Sequence, residues 1–464
     1  MVNNFNLDPV ILREYDIRGI VETQLTPDAV RAIGQGFGTM AYERGCRTVA
    51  VAYDGRLSST VLETALVEGL SSTGLDVTRI GLGPTPMLYF ATYHLGVDAG
   101  LMITGSHNPP EYNGIKMVCQ GKSFWGPDIR ELGDRVRAGT LRGGEGIEPG
   151  TVTEQSIFDD YIDRMASDYR GDKELKVAWD PGNGSSGDAI VALTNQLPGT
   201  HFLINEEIDG TFPNHHPDPT VEENLQQLKD LVKAEGCDLG FAFDGDGDRI
   251  GLVDSQGRVL WGDQILIVLA REVLQDHPGA TIIADVKASR AFFEEIEAMG
   301  GKPLMWKTGH SLIKNKMHET GAPLAGEMSA HIFIKHRYYG YDDAAYAAVR
   351  VLSILASGHE SIDQIRDSLP DYINTPELRF PCSEDRKLPV VAEVKERLSQ
   401  IDGITVYDID GVRVENEDGW WLLRSSNTQD VLVARCESKS HAGLARLQAE
   451  LATQLKQSGI FIPD

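Results

Sequence analysis

An apolar run closed by an aspartate occurs three times in the chain. The copies are Val49-Ala50-Val51-Ala52-Tyr53-Asp54, Leu175-Lys176-Val177-Ala178-Trp179-Asp180 and Thr281-Ile282-Ile283-Ala284-Asp285. Short continuous apolar runs of this kind read as buried strands, which need helices on both faces of their sheet. Helical patterns stand between them. Thr26 and Pro27 give an N-cap and a proline at the first helical position, followed by an apolar face of Ala29, Ile33, Phe37 and Met40. A helix over 59–70 turns Val61, Leu62, Ala65 and Leu66 inward. Another is expected to open at Thr220, in a capping box with Glu223, and to bury Leu225, Leu228, Leu231 and Val232. Helices over 263–274 and 342–355 follow.

This alternation predicts an α/β protein: three related α/β domains with mainly parallel sheets, at 1–153, 154–256 and 257–372. The first boundary falls in 137–153, which is rich in glycine and charge and has little periodicity. The last stretch, 373–464, has a helix around 391–398, short strands at 404–407, 419–423 and 431–434, and a closing helix over 442–455. It reads as a smaller α+β domain. A chain of 464 residues has ample length for four cores.

Ligands bind at the carboxyl ends of strands in open α/β sheets. Three unusual loops fall there. The run Ala99 to Ile103 leads into Thr104-Gly105-Ser106-His107-Asn108-Pro109, with Lys116 shortly after. Gly105 allows a sharp turn, and Asn108-Pro109 stops a regular element from continuing. A serine, a histidine and a lysine at a glycine turn suit a hydroxyl that carries a transferred group, although serines at ordinary turns are common. The run Leu239 to Phe243 leads into Asp244-Gly245-Asp246-Gly247-Asp248-Arg249. The glycines let this loop curl until three carboxylates converge, and three hard oxygens suit Mg²⁺. An EF-hand is excluded, because Arg249 stands where glycine is needed and Ser255 where glutamate is needed. The third loop is Lys307-Thr308-Gly309-His310.

Two glycine patterns are decoys. Gly121-Lys122-Ser123 lacks the P-loop glycine five places earlier, where Lys116 stands. Gly34, Gly36 and Gly38 lie within a helical pattern, so they are no dinucleotide fingerprint. His215-His216, among Pro213, Pro217 and Pro219, reads as a surface turn. Arg424-Ser425-Ser426-Asn427-Thr428 is a dense run of donors able to hold a phosphate, or an ordinary polar turn.

Lys and Arg number 43 against 69 Asp and Glu, a net charge of −26. That repels nucleic acid and anionic membrane surfaces, and any phosphorylated substrate unless basic residues gather in one cleft. The five cysteines include no C-x-x-C pair, which fits a reducing compartment and argues against disulfides or zinc. No signal peptide or bilayer-length apolar run is read, and the expected compartment is the cytoplasm.

The four motifs Thr104 to Pro109, Asp244 to Arg249, Gly326-Glu327-Met328-Ser329-Ala330-His331 and Arg424 to Thr428 occur in that order. In this the chain resembles the α-D-phosphohexomutase superfamily, bacterial phosphomannomutase/phosphoglucomutase most of all, over its whole length. The resemblance implies four domains around a central cleft. It implies that Ser106 is a phosphoserine whose phosphate oxygen joins Asp244, Asp246 and Asp248 around Mg²⁺. His107, Lys116 and Arg249 then surround the transferring group, and Lys116, His310 and His331 are acid/base candidates. Tyr15, Arg18 and Lys287 face the cleft, as does the Thr308-Gly309 loop. Glu327 and Ser329 hold sugar hydroxyls, while Arg424, Ser426, Asn427 and Thr428 hold the phosphate that does not react.

The implied reaction moves phosphate reversibly between the 1- and 6-positions of mannose or glucose, with the hexose 1,6-bisphosphate as intermediate and activator. The partners expected are small sugar phosphates, with no nucleic acid and no membrane; monomer and homo-oligomer both stay open. Phosphoglucosamine mutase chemistry is an alternative, against which the Glu327-Met328-Ser329 form argues. A catalytically silent sugar-phosphate-binding paralogue is another, against which intact Ser106 and three intact aspartates weigh. The chain departs from the family pattern at Ala330, in place of a usual glycine, and at Gln429-Asp430, in place of a usual Glu-Pro. The first tightens the sugar loop, and the second loosens the phosphate loop and brings a negative charge near it.

Overall fold

The computed structural model describes residues 5–399, 401, 403–426 and 430–460. It contains four sheets in succession along the chain. The first comprises β1 (Ile17–Ile20), β2 (Thr48–Tyr53), β3 (Asp76–Leu82), β4 (Ala99–Ile103), β5 (Tyr112–Cys119), β6 (Lys122–Ser123) and β7 (Val152–Glu154). Their order is β1-β5-β4-β2-β3-β7, with β6 on β5. Three helices, α1 (Pro27–Glu43), α2 (Ser59–Ser71) and α4 (Pro127–Ala138), pack on one face, and α3 (Thr85–His94) lies on the other.

The second sheet comprises β8 (Lys176–Asp180), β9 (Thr200–Leu203), β10 (Leu239–Phe243), β11 (Ile250–Asp254) and β12 (Val259–Leu260), ordered β12-β11-β10-β8-β9. Its helices are α5 (Phe158–Ala166), α6 (Gly187–Thr194) and α7 (Gln226–Glu235). The third comprises β13 (Thr281–Asp285), β14 (Lys302–Trp306), β15 (Leu324–Gly326) and β16 (Ile332–Ile334), ordered β14-β13-β15-β16. Its helices are α8 (Gly262–Asp276), α9 (Arg290–Ala298), α10 (His310–Thr320), α11 (Ala344–Ser357) and α12 (Ile362–Ser368).

The fourth sheet is antiparallel throughout, ordered β17-β22-β21-β20-β19 with β18 on β22. Its strands are β17 (Ile373–Asn374), β18 (Leu378–Pro381), β19 (Thr405–Tyr407), β20 (Val412–Asn416), β21 (Gly419–Ser425) and β22 (Val431–Ser438). One face is covered by α13 (Glu384–Leu398) and α14 (His441–Gln457). From the other, Trp420 and Leu422 pack on Val286 of the third unit. One continuous apolar core runs through the first three units, from Ala50 and Met102 past Trp179 and Phe241 to Leu352 and Ile365.

The α/β expectation holds, with a refinement. The sheets are mixed: β2 pairs in parallel with β3 and β4, β8 with β9 and β10, and β13 with β14 and β15. Beyond each parallel centre comes an antiparallel strand, β5, β11 or β16. The three repeated aspartates end β2, β8 and β13 or follow directly on them, and each buried carboxylate bonds a neighbouring loop. Asp54 accepts from Gly105 N (3.1 Å), Asp180 pairs with His215 Nε2 (2.8 Å), and Asp285 accepts from Met328 N (3.2 Å) and Thr308 Oγ1 (3.0 Å).

Three details differ from expectation. Val61 is 58 % exposed, because α2 turns Leu62, Ala65 and Leu66 to the core instead. Thr220 caps no helix: its hydroxyl and N–H both bond Asp218, a short 3-10 turn Glu222–Leu225 follows, and α7 starts at Gln226. Helix α13 starts at Glu384 and runs through Pro389, giving up one backbone bond there.

Both decoys have structural explanations. Gln120 and Gly121, both at positive φ, make the two-residue turn of the β5–β6 hairpin. Gly34 lets α1 lie against α2, since a Cβ there would meet the Leu66 carbonyl oxygen at 2.6 Å. Alanine gains about 1 kcal/mol of helix propensity over glycine, but overpacking against backbone costs about 1–3 kcal/mol. Gly34→Ala is therefore expected to destabilise the protein in urea unfolding; a more stable variant would show that the helices can separate freely.

Candidate active site

The loop after β4 is held by the loop after β2. The Arg56 side chain is 1 % exposed and pairs with Asp54 at 3.2 Å. Its guanidinium donates to the carbonyl oxygens of Ser106 (2.7 Å), Asn108 (2.5 Å), Pro109 (2.6 Å) and Tyr112 (3.0 Å). Arg18 adds bonds to Gly105 O (3.0 Å) and Asn108 Oδ1 (2.5 Å). These contacts hold Ser106 at φ +48°, a left-handed conformation that costs about 1–2 kcal/mol for a non-glycine residue. Gly105 leaves room for Arg56, since a Cβ there would lie 2.4 Å from the guanidinium carbon.

The turn directs Ser106 Oγ at the acidic loop, 2.9 Å from Asp244 Oδ2 and 3.2 Å from His107 Nδ1. Gly245 makes the approach possible, because a Cβ there would meet Ser106 O at 2.4 Å. The acidic loop curls around Asp244, whose Oδ1 accepts from the N–H groups of Asp248 and Arg249, both at 3.0 Å. Asp246 Oδ2 accepts from Thr85 Oγ1 (2.5 Å) and Lys116 Nζ (2.7 Å), and Lys116 also bonds Asp248. All three aspartates are fully buried, with one oxygen of each within 4.8 Å of the others. Asp246 Oδ1 is buried without a hydrogen-bond partner among the described residues. An orphan oxygen among three convergent carboxylates fits a hard divalent cation such as Mg²⁺.

Burial and the two neighbouring carboxylates push Asp244 well above the usual carboxylate range. Burial also works against charge on Asp248, but Lys116 and His331 outweigh it and hold Asp248 low. Burial, with Arg249 and Arg18 nearby, keeps His107 neutral. His310 is kept neutral by burial and Lys314. His331 is the opposite case. Burial favours its neutral ring, yet Asp248 at 3.2 Å and Glu327 at 2.8 Å raise it to about 9.

These groups open onto a cleft of about 1130 Å³ lined from all four units. Tyr15, Arg18, Ser106, His107, Lys116, Arg249, Lys287, Thr308, Gly309, His310, Glu327, Ser329, His331, Arg424 and Ser426 all line it. The three aspartates lie behind it, fully buried. Asn427 and Thr428 fall outside the described residues. Tyr15 donates to Thr308 O (2.8 Å), and a Cβ on Gly309 would run into the Tyr15 ring at 2.5 Å. Gly309 N bonds Glu327 Oε1 at 2.5 Å. Lys287 lies 3.5 Å from Glu377, and Arg424 lies 3.0 Å from Asp410. Ala330 sits at φ +70°, which accounts for a glycine at that position in the family pattern.

Sequence reasoning missed Arg56, Thr85, Asp218, Glu377 and Asp410. Arg56 had a signal, since it follows the repeated strand-end aspartate. The others reach their partners across the fold, with no local pattern to mark them.

Four family models cover nearly the whole chain: phosphoglucomutase/phosphomannomutase alpha/beta/alpha domains I (residues 9–142), II (159–257) and III (261–372), and the C-terminal domain (377–454). The chain belongs to the phosphoglucomutase/phosphomannomutase family. It is 42% identical to the phosphomannomutase/phosphoglucomutase of Pseudomonas aeruginosa, over 98% of this chain and 97% of that one. It is 41% identical to the phosphoglucomutase of Neisseria gonorrhoeae, over 94% and 95%. A crystal structure of a phosphoglucomutase/phosphomannomutase family protein from Burkholderia thailandensis superposes with a TM-score of 0.93 at 41% identity, covering 99% of this chain and 100% of that one. The protein is a phosphohexomutase, an enzyme that moves phosphate within a hexose phosphate. No described helix is long and apolar enough to cross a membrane.

Arg56→Lys keeps the charge but cannot span four carbonyl groups. It is expected to cost about 2–4 kcal/mol in unfolding free energy and, by shifting Ser106, on the order of a hundredfold in mutase turnover. Urea unfolding and a turnover assay read the two effects; wild-type turnover would mean that the serine loop needs no clamp.

Proposed function

We propose that this phosphohexomutase interconverts the 6-phosphate and 1-phosphate of mannose, glucose or both through a phosphoserine at Ser106. The observation that carries the reading is the Ser106 hydroxyl facing Asp244 at 2.9 Å, on the wall of a cleft lined by basic side chains. In the first half-reaction the bond from phosphorus to Ser106 Oγ breaks and a bond to a sugar hydroxyl oxygen forms. The product is a hexose 1,6-bisphosphate, and the sugar hydroxyl gives up its proton. After the bisphosphate reverses its orientation, the other phosphoryl group returns to Ser106, and the sugar oxygen it leaves takes a proton. Added bisphosphate acts as an activator by reloading the serine.

Asp244, Asp246 and Asp248 would hold Mg²⁺ with a phosphate oxygen on Ser106, and the ion would neutralise charge that gathers on the moving group. Lys116 and Arg249 carry out the same task from the protein side, and neutral His107 adds a hydrogen bond. Lys116 is held charged: burial opposes this, but Asp246 and Asp248 prevail. Lys116, His310 and His331 are the groups that can pass the sugar proton. The contrast between His310, kept neutral, and His331, kept charged, supports those two as a base and acid pair.

Arg424 and Ser426, with Asn427 and Thr428, receive the phosphate that stays on the sugar, and Lys287, Arg18 and Tyr15 face it across the cleft. Glu327 and Ser329 receive ring hydroxyls in either orientation. The same reading divides the chain at 153, 256 and 372 into parts that carry serine, metal, sugar and phosphate loops. A cytoplasmic setting accords with five free thiols, all buried.

The assay is isomerisation of mannose 1-phosphate and of glucose 1-phosphate in Mg²⁺, each with a trace of bisphosphate. Glu327→Ala is expected to slow both directions by a similar factor and to release more free bisphosphate, since every bound state uses the same carboxylate. A defect in one direction alone, without extra bisphosphate, would mean that the two orientations use different sugar contacts.

A further inference from the structure

We infer that Asp248, His331 and Asp342, with His310 beside them, form a second divalent-cation site that takes a transition-series ion such as Zn²⁺ in preference to Mg²⁺. One ligand atom from each of Asp248, His331 and Asp342 lies within 4.8 Å of the others, and all three residues are buried. Asp244 and Asp246 take no part, so the site shares one residue with the three-aspartate group.

Each carboxylate is arranged to leave one oxygen free. Asp342 is fully buried; its Oδ1 accepts from Lys314 Nζ at 3.0 Å, while Oδ2 has no hydrogen-bond partner among the described residues. Asp248 gives Oδ2 to Lys116, and its Oδ1 lies 3.2 Å from His331 Nε2 without an aligned hydrogen bond. His310 Nδ1 lies 4.0 Å from Asp342 Oδ2 and also has no hydrogen-bond partner among the described residues.

His331 has the support that a ligating imidazole needs. Its Nδ1 bonds Glu327 Oε2 at 2.8 Å, so an ion that takes Nε2 displaces the proton there and leaves the Nδ1 proton on the carboxylate. Arg249 Nε stands 3.4 Å from Nε2 and must move aside when an ion takes that atom. The backbone is fixed as well, with Arg249 bridging to His331 and Phe333 to Asp342.

Donor chemistry selects the ion. Mg²⁺ demands an octahedral oxygen shell, whereas imidazole nitrogen with two carboxylates suits Zn²⁺ or Co²⁺. Lys116, Lys314 and Arg249 already balance the local carboxylates, so charge alone attracts no further cation and the imidazole nitrogen decides which ion binds. If His331 carries a proton in catalysis, as proposed above, such an ion is an inhibitor. Binding itself does not depend on that role.

The test titrates the metal-stripped full-length protein with Co²⁺ while Mg²⁺ is saturating. The expected result is one further bound ion, with visible absorption that Zn²⁺ abolishes by displacement. Asp342→Asn should weaken it at least about tenfold, whereas Asp244→Asn should leave it bound. Displacement of all the Co²⁺ by Mg²⁺, or unchanged binding to Asp342→Asn, would overturn the inference. Nitrogen NMR of the wild type decides without any substitution: Zn²⁺ added over saturating Mg²⁺ should shift His331 Nε2, and an unmoved signal would contradict the site.

Discussion

A single lysine joins two units at the centre of this enzyme. Lys116 sits on β5 of the first unit and bonds Asp246 and Asp248 from the loop that follows β10 in the second. Asp248 in turn lies beside His331, just before β16 in the third unit. Two carboxylates and an ammonium group taken out of water are costly unless they meet in good geometry with their remaining atoms satisfied. The fold meets the geometric part of that requirement by converging three units on one charge cluster, and leaves Asp246 Oδ1 and Asp248 Oδ1 without hydrogen-bond partners among the described residues. The same convergence places Ser106 against Asp244.

Much of this was legible in the chain. The repeated aspartate announced strand ends, and the glycine before Ser106 and those within the acidic loop announced tight approaches. Gly245 and Gly105 prove to be the positions where a Cβ would strike Ser106 O or Arg56. The antiparallel strands beyond each parallel centre were not legible. An apolar run such as Ile250 to Asp254 is buried on both faces whichever way its neighbour points, so periodicity carries no direction. Arg56, Glu377 and Asp410 were missed because their partners lie far away in sequence, and a lone charged residue in a loop resembles a solvated one. The failed helix start at Thr220 has a local cause: Asp218 captures the Thr220 hydroxyl before it can cap.

The charge distribution resolves a tension in the composition. A chain of net charge −26 should repel a sugar phosphate. Yet eight Arg and Lys side chains line the cleft against six acidic ones. Several of those cations are held by carboxylates that are not themselves ligands for the moving group, as Arg424 is by Asp410 and Lys287 by Glu377. Such pairing holds the guanidinium and ammonium groups in position in the cleft wall at low cost.

The central claim is that phosphate passes through Ser106, and a chase experiment tests it most directly. Protein carrying radiolabelled phosphate on Ser106 is mixed with excess unlabelled hexose 1-phosphate and Mg²⁺, and the label is followed through the first turnovers. The account predicts that label leaves the serine as fast as isomerisation proceeds and appears in hexose bisphosphate and hexose 6-phosphate, with Ser106→Ala taking up none. Label that stays on the protein while isomerisation runs would contradict it.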